Sequence, residues 1–175
     1  MTTESPPPPT PPESRRVRHG TTTVTRDIGA PRARVFAVFA DFSLRQKWFR
    51  IPSRPEHLHH TLDFRVGGTE VAGGIFAPTG TAEHIEYRSR FLDIVDDERI
   101  VFGYELRIND VRRTMAQVTV EIEALDADHT RLRYTEQFVL VGFDGDGDQD
   151  FAHQRGMLPL MLNGLEGVAT GRITS

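Results

Sequence analysis

The side chains best placed to do chemistry lie on stretches that are otherwise oily. Tyr104 falls in phase with Phe102, Leu106 and Ile108, and Tyr134 and Glu136 fall in phase with Leu132 and Phe138. Residues two apart on a strand share a face, so three polar groups stand among apolar neighbours. If that face looks inward, Tyr104, Tyr134 and Glu136 are the few polar handles with which an apolar pocket orients a ligand. A desolvated Glu136 has its pKa raised and can act as a general base, which is the enzyme form of the same geometry. Tyr87 and His84 stand in similar settings. Core tyrosines whose hydroxyls are satisfied by neighbours give the same pattern with no ligand at all. Binding is the preferred reading, the enzyme question leans to no, and Glu136 is the one catalytic candidate.

Two clusters invite a metal. His57, His59, His60 and Asp63 contain a His-x-His spacing, which on a strand puts two imidazoles on one face. They lack an evident further ligand, so adventitious binding or none is expected. Asp144, Asp146, Asp148 and Asp150 resemble a calcium loop until Gln149 stands where the loop needs Gly and Arg155 where it needs Glu. A solvated loop that brings Asp148 or Asp150 to a helix N-terminus is the simpler account. No Gly-x-Ser-x-Gly elbow, phosphate loop or dinucleotide fingerprint occurs, and neither metal nor cofactor is assigned.

The composition bounds the rest. A chain of 175 residues, 38% hydrophobic and 26% charged, can build one good core. A formal charge of −4, scattered arginines and the single Lys47 argue against a nucleic-acid partner. With no cysteine, disulfides and thiolate chemistry are excluded. No apolar run is long enough for a signal peptide or a membrane span, so a cytoplasmic address is expected.

These side chains must be held by some framework. Residues 1–20, with Pro6 to Pro9, Pro11, Pro12, Arg15, Arg16 and Arg18, read as a disordered proline-rich tail. Thr21 to Ile28 alternates as a first strand. Pro31 opens a short helix, and Asp41 or Ser43 caps a second that carries Leu44 and Trp48. Strands follow over Thr61–Val66 and Thr69–Phe76 about a Gly67-Gly68 turn, then over Thr81–Val95, Ile100–Ile108, Ala116–Ala124 and Thr130–Phe138. Strands this long twist and curl, leaving a hollow side.

A long helix over Asp148–Thr170 covers that hollow. Its apolar arc holds Phe151, Met157, Leu158, Met161, Leu162, Leu165, Val168 and Ala169. Pro159 costs such a helix about 3 kcal/mol, and Gly156, Gly164 and Gly167 about 1 kcal/mol each, so burial must hold it. Gly156, Gly164, Gly167 and Gly171 form a stripe of small residues on the opposite side, open to a homodimer contact or simply to solvent.

This order of elements resembles the helix-grip fold of the START-like (SRPBCC, Bet v 1-like) superfamily, an α+β architecture with a curved antiparallel sheet wrapped on a long C-terminal helix and two short helices after the first strand. The strings DFSLRQKW (41–48), FRVGG (64–68), FLDIVDDERIVFGY (91–104) and AQVTVEIEALDADHTRL (116–132) look like the family of the activator of Hsp90 ATPase homologue 1 (AHSA1 type). Trp48, Gly67, Gly68, Arg99, Thr130, Arg131 and Leu132 match positions characteristic of that family and look architectural. The resemblance implies one domain over 21–172. It also implies a small apolar or amphipathic ligand, such as a lipid, between sheet and helix; the faces of this chain offer Trp48, Phe102, Tyr104, Tyr134, Glu136, Phe138, Met161 and Leu165 to grip it. A cyclase- or hydrolase-like enzyme using the pocket Glu and Tyr is the alternative. An Hsp90-type chaperone partner and a stress-response role follow from the family name by analogy alone.

Overall fold

The computed structural model describes residues 17–77, 80–143 and 145–174. The proline-rich stretch 1–16 and Asp144 lie outside them. β1 (Arg18–Ile28) leads into α1 (Arg32–Ala40) and α2 (Phe42–Trp48). A single 3-10 turn (Pro55–His57) then precedes β2 (His59–Leu62), β3 (Thr69–Phe76), β4 (Glu83–Val95), β5 (Arg99–Ile108), β6 (Val111–Ala124), β7 (Thr130–Leu140) and α3 (Asp148–Ala169). The seven strands form one antiparallel sheet in the order β1-β7-β6-β5-β4-β3-β2. Six strands therefore meander, and β1 crosses to pair with the last. This is the helix-grip architecture that the order of elements implied.

Local chemistry fixes the boundaries. Asp41 caps α2, its carboxylate accepting from the Ser43 N–H at 2.8 Å. Asn109 and Asp110 both adopt positive φ, giving a two-residue hairpin that starts β6 at Val111, earlier than expected. β2 stops at Leu62 instead of running to Val66, because the Asp63 N–H donates to the Thr69 carbonyl and the Gly68 N–H to that of Arg65, folding 63–68 into a loop. Gly67 takes φ +80° there, and a side chain at Gly68 would strike the Asp63 carbonyl. β1 begins at Arg18, so Arg18 to Gly20 pair with β7 and are not part of a tail. Gly20 leaves the space that the Phe138 ring fills. Register shifts at Phe91/Asp93 and Leu106/Arg107 mark irregularities, with Leu92 the extra residue on β4 and Arg113 on β6, that bend these strands and curl the sheet.

The inner face of this sheet carries Phe91, Ile100, Phe102, Val118, Val120, Leu132 and Tyr134, which pack in one cluster with Leu158, Leu162, Leu165 and Val168 of α3 and Val35, Val38, Phe39 and Trp48 of the short helices. Two expectations about α3 need correction. Met157 is 44% exposed because the buried stripe follows Leu158, Leu162 and Leu165, and Met157 lies one residue, about 100°, off it. Gly164 abuts Trp48 and Gly167 abuts Ile173, so these glycines make room for the chain's own side chains and form no outward stripe for a second copy. The loop before α3 brings Asp148 to the helix N-terminus as expected, with Gly147 as the N-cap and the Asp146 carboxylate accepting the Asp148 N–H at 3.0 Å. Asp148 and Asp150 occupy the first turn, where their charge suits the helix dipole.

Leu165 is wholly buried and Leu160 is 66% exposed. Leu165→Ala is expected to lower unfolding stability in urea by about 2–5 kcal/mol, and Leu160→Ala to change it by less than about 0.5 kcal/mol.

Candidate functional site

The concave face presents its side chains in cross-strand rows. One row runs Glu70, Ser89, Tyr104, Ala116, Phe138 and Gly20; its neighbour runs Phe91, Phe102, Val118, Glu136 and Thr22. The diagonal between them brings Tyr104 to Glu136. The Tyr104 hydroxyl donates to Glu136 Oε1 at 2.7 Å, and Gln154 Nε2 of α3 donates both to the Tyr104 oxygen at 2.8 Å and to Glu136 Oε2 at 3.1 Å. Glu136 is only 5% exposed. Burial pushes its carboxyl above the ordinary range, and the hydrogen bonds from Tyr104 and Gln154 pull it only partly back. Burial, followed by the Glu136 charge, likewise raises the Tyr104 and Tyr134 hydroxyls well above the usual phenol value.

The other expected residues are distributed along α3. Phe138 stacks at a tilt on Phe151, centroids 5.4 Å apart, beside the polar end. Phe102 meets Tyr134 edge-on at 6.4 Å in the middle, with Met161 packed against the same cluster. Trp48 and Leu165 lie at the far end, where Trp48 Nε1 donates to the Val38 carbonyl at 2.7 Å and Gly164 backs onto its main chain. Ten residues of helix separate Gln154 from Gly164, about 15 Å. The eight residues thus line a long interface, and only Tyr104 and Glu136 form a joined polar group. The interior between sheet and helix is occupied by Phe102, Tyr134, Leu158, Leu162 and Leu165 themselves. A cleft of about 630 Å³ lies instead mostly on the outward face, over Thr21, Gln117 and Gln137.

His84 is exposed at the start of β4, away from this group. The histidine cluster is divided. His60 Nε2 lies 2.8 Å from Glu70 Oε1, and His59 lies 3.8 Å from Glu86. Among the described residues no three His, Asp or Glu side chains are arranged to hold a metal ion.

His60 belongs to a buried network that spacing did not announce. Arg45 of α2 makes a two-pronged contact with Glu70 of β3, both N–H···O distances 2.8 Å, and its guanidinium packs 4.2 Å from Trp48 and 4.4 Å from Phe49. Burial pushes the Glu70 carboxyl up, yet the Arg45 charge and the bonds from Arg45 and His60 outweigh it and hold it at about 2. Gln154 was also missed. Its signal was a polar residue in phase with Phe151, Leu158 and Leu162.

Residues 29–169 match the family model described as Activator of Hsp90 ATPase homolog 1-like protein. The chain belongs to this family. Among solved structures it is similar to an uncharacterised protein of Rhizobium leguminosarum, 30% identical, with 88% of this chain and 96% of that one covered at a TM-score of 0.74. It is also similar to Mll3558 of Rhizobium loti, 32% identical over 85% and 99% of the two chains at a TM-score of 0.67. DynU16, from the dynemicin biosynthetic locus, shares the fold at 15% identity and a TM-score of 0.58, this chain spanning 48% of it. No curated protein matches in sequence.

Three of the residues expected to be architectural have structural tasks here. The Thr130 hydroxyl donates to the Ala30 carbonyl at 2.7 Å, tying β7 to the entrance of α1, and Arg131 grips Asp27 across β1 with two bonds of 2.8 Å. Arg99 pairs with Asp93 at the β4 irregularity.

Arg45→Met strands the Glu70 carboxylate and is expected to destabilise the protein by about 3–5 kcal/mol, whereas Arg45→Met with Glu70→Leu restores most of it; denaturant midpoints of the three proteins check this. For Glu136 the sign is the reverse of Glu70. Its folded pKa lies above the unfolded value of 4.5, so the native state binds the proton more tightly. Its favourable contribution is therefore full below the unfolded pKa and is lost as pH rises through the folded one. Glu136→Gln removes that loss. The variant's stability relative to the parent should rise with pH above 4.5 in matched urea titrations.

Proposed function

We propose that this protein binds a small apolar or amphipathic molecule between the concave sheet and α3, with Tyr104, Glu136 and Gln154 at the polar end and Phe102, Tyr134, Met161 and Leu165 along the apolar wall. The observation that carries the reading is Glu136: a nearly fully buried carboxylate on the sheet floor, held by two neutral donors beneath a helix. Such a group destabilises a plain core, and its retention suits a site. Entry requires the first half of α3 to lift. That half is suited to lifting, because residues 152, 153 and 155–157 are exposed, a side chain at Gly156 would meet open space, and Pro159 breaks the helix ladder midway.

The raised pKa of Glu136 favours one second reading, a cyclase- or hydrolase-like step with Glu136 as general base. Turnover of a candidate substrate that Glu136→Gln abolishes with the fold intact is the mark of that chemistry. No helix among the described residues is long and apolar enough to cross a membrane.

A neutral environment-sensitive dye such as Nile red should bind saturably, and Met161→Arg should weaken it by at least about tenfold by placing a charge in the apolar wall. Absence of saturable uptake by the folded parent protein counts against the binding reading.

A further inference from the structure

The concave face holds two buried carboxylates, and they are treated differently. Glu70 is matched by a bidentate guanidinium and an imidazole. Among the described residues Glu136 receives only a phenol and an amide, both neutral. The hydrogen-bond chain runs one way: Gln154 donates to Tyr104, Tyr104 donates to Glu136, and Gln154 donates to the other Glu136 oxygen. Both carboxyl oxygens are engaged by neutral groups. Arg18 lies two residues from Gly20 and four from Thr22 on the same face of β1. Arg18 packs 4.8 Å from Phe151, but it is committed to the Asp148 carboxylate and the Asp146 carbonyl. A further acceptor stands beside Glu136: Thr22 faces it directly in the β1–β7 register, and its buried Oγ1 has no partner. Tyr104, Phe138 and Phe151 surround the position with aromatic surface.

Resting on the binding reading above, we infer that the ligand is a single-chain amphiphile ending in an ammonium group, whose charge is received by Glu136 and whose remaining N–H is received by Thr22. An ammonium supplies donors only, which matches two carboxylate oxygens and a free hydroxyl oxygen. It supplies the missing countercharge in a desolvated setting, and the nearby ring faces favour a cation over an anion. A ligand carboxylate in the same place would set two like charges together without water. A hydrophobic tail then continues toward Phe102, Tyr134 and Met161.

The test compares dodecylamine, dodecanol and dodecanoate, each below its aggregation concentration, as competitors of Nile red on the full chain and on Glu136→Gln, with circular dichroism confirming the fold of the variant. The parent protein should bind the amine at least about tenfold more tightly than the alcohol, and the acid most weakly. Glu136→Gln should erase the amine's advantage over the alcohol. An amine that binds no better than the alcohol, or an advantage that survives in Glu136→Gln, overturns the inference while the binding reading stands. Failure of all three to displace a bound dye, or failure of the dye itself to bind, overturns the binding reading and this inference with it.

Discussion

The apolar stripe of α3 against the hollow of the sheet is the contact on which the other features depend. A helix with Pro159 inside it and glycines at 156, 164 and 167 has little stability of its own. It persists because Leu158, Leu162, Leu165, Val168 and Ala169 are taken out of water, each large side chain being worth about 1.5–3 kcal/mol. The sheet can offer a matching surface only because it is bent, through long strands and irregularities at Phe91/Asp93 and Leu106/Arg107. The burial is graded along the helix. From Leu162 to Ala169 the stripe is enclosed by α1, α2 and the sheet, whereas the first turns rest on Phe151, Gln154 and the exposed Arg18–Asp148 pair. An exposed ion pair adds at most about 1 kcal/mol. The end that opens at least cost is therefore the end that carries Glu136.

The two inward carboxylates show how one surface can be used in two ways. Glu70, Arg45 and His60 close the edge of the sheet where β2 and β3 meet α2, and their mutual satisfaction makes a fixed joint. Nothing about that joint calls for a ligand. Glu136 sits at the opposite edge, next to β1, and its partners are neutral. A fold has no structural need for a group of this kind, since Gln at the same place would fill the same volume without burying a charge.

Much of this architecture is legible in the residues. Alternation in β4 to β7 marks the meander and its inner face, Asn109-Asp110 marks a tight hairpin, and Asp41 with Ser43 marks the start of α2. The early end of β2 was not legible, because it depends on main-chain hydrogen bonds around Gly67 and Gly68 that pattern alone does not reveal. Alternation also brought Tyr104 and Glu136 to one face, but the partners that give the pair its character lie far off in sequence. Gln154 reaches it from a different element, and Arg45 finds Glu70 by the docking of α2. Each was marked only as a polar residue in phase with an apolar stripe, a signal that becomes specific once the facing element is known. The open hollow expected from a curled sheet was filled by Phe102, Tyr134, Leu158, Leu162 and Leu165, since the side chains that would grip a ligand also satisfy one another.

That filling bears on how the site can work. On the proposed binding reading, a closed interior and a carboxylate without a cation are two sides of one equilibrium: lifting the first half of α3 would withdraw Gln154 from Tyr104 and Glu136 and expose apolar wall, which is unfavourable without a ligand. A ligand that supplies a countercharge to Glu136 and apolar surface to Met161 and Tyr134 replaces both losses at once. One that supplies only oil replaces the second and leaves the carboxylate with Tyr104 alone. A ligand shifts such an equilibrium only by its difference in affinity for the two states, so on the proposed binding reading the incomplete solvation of Glu136 would set the selectivity for what enters.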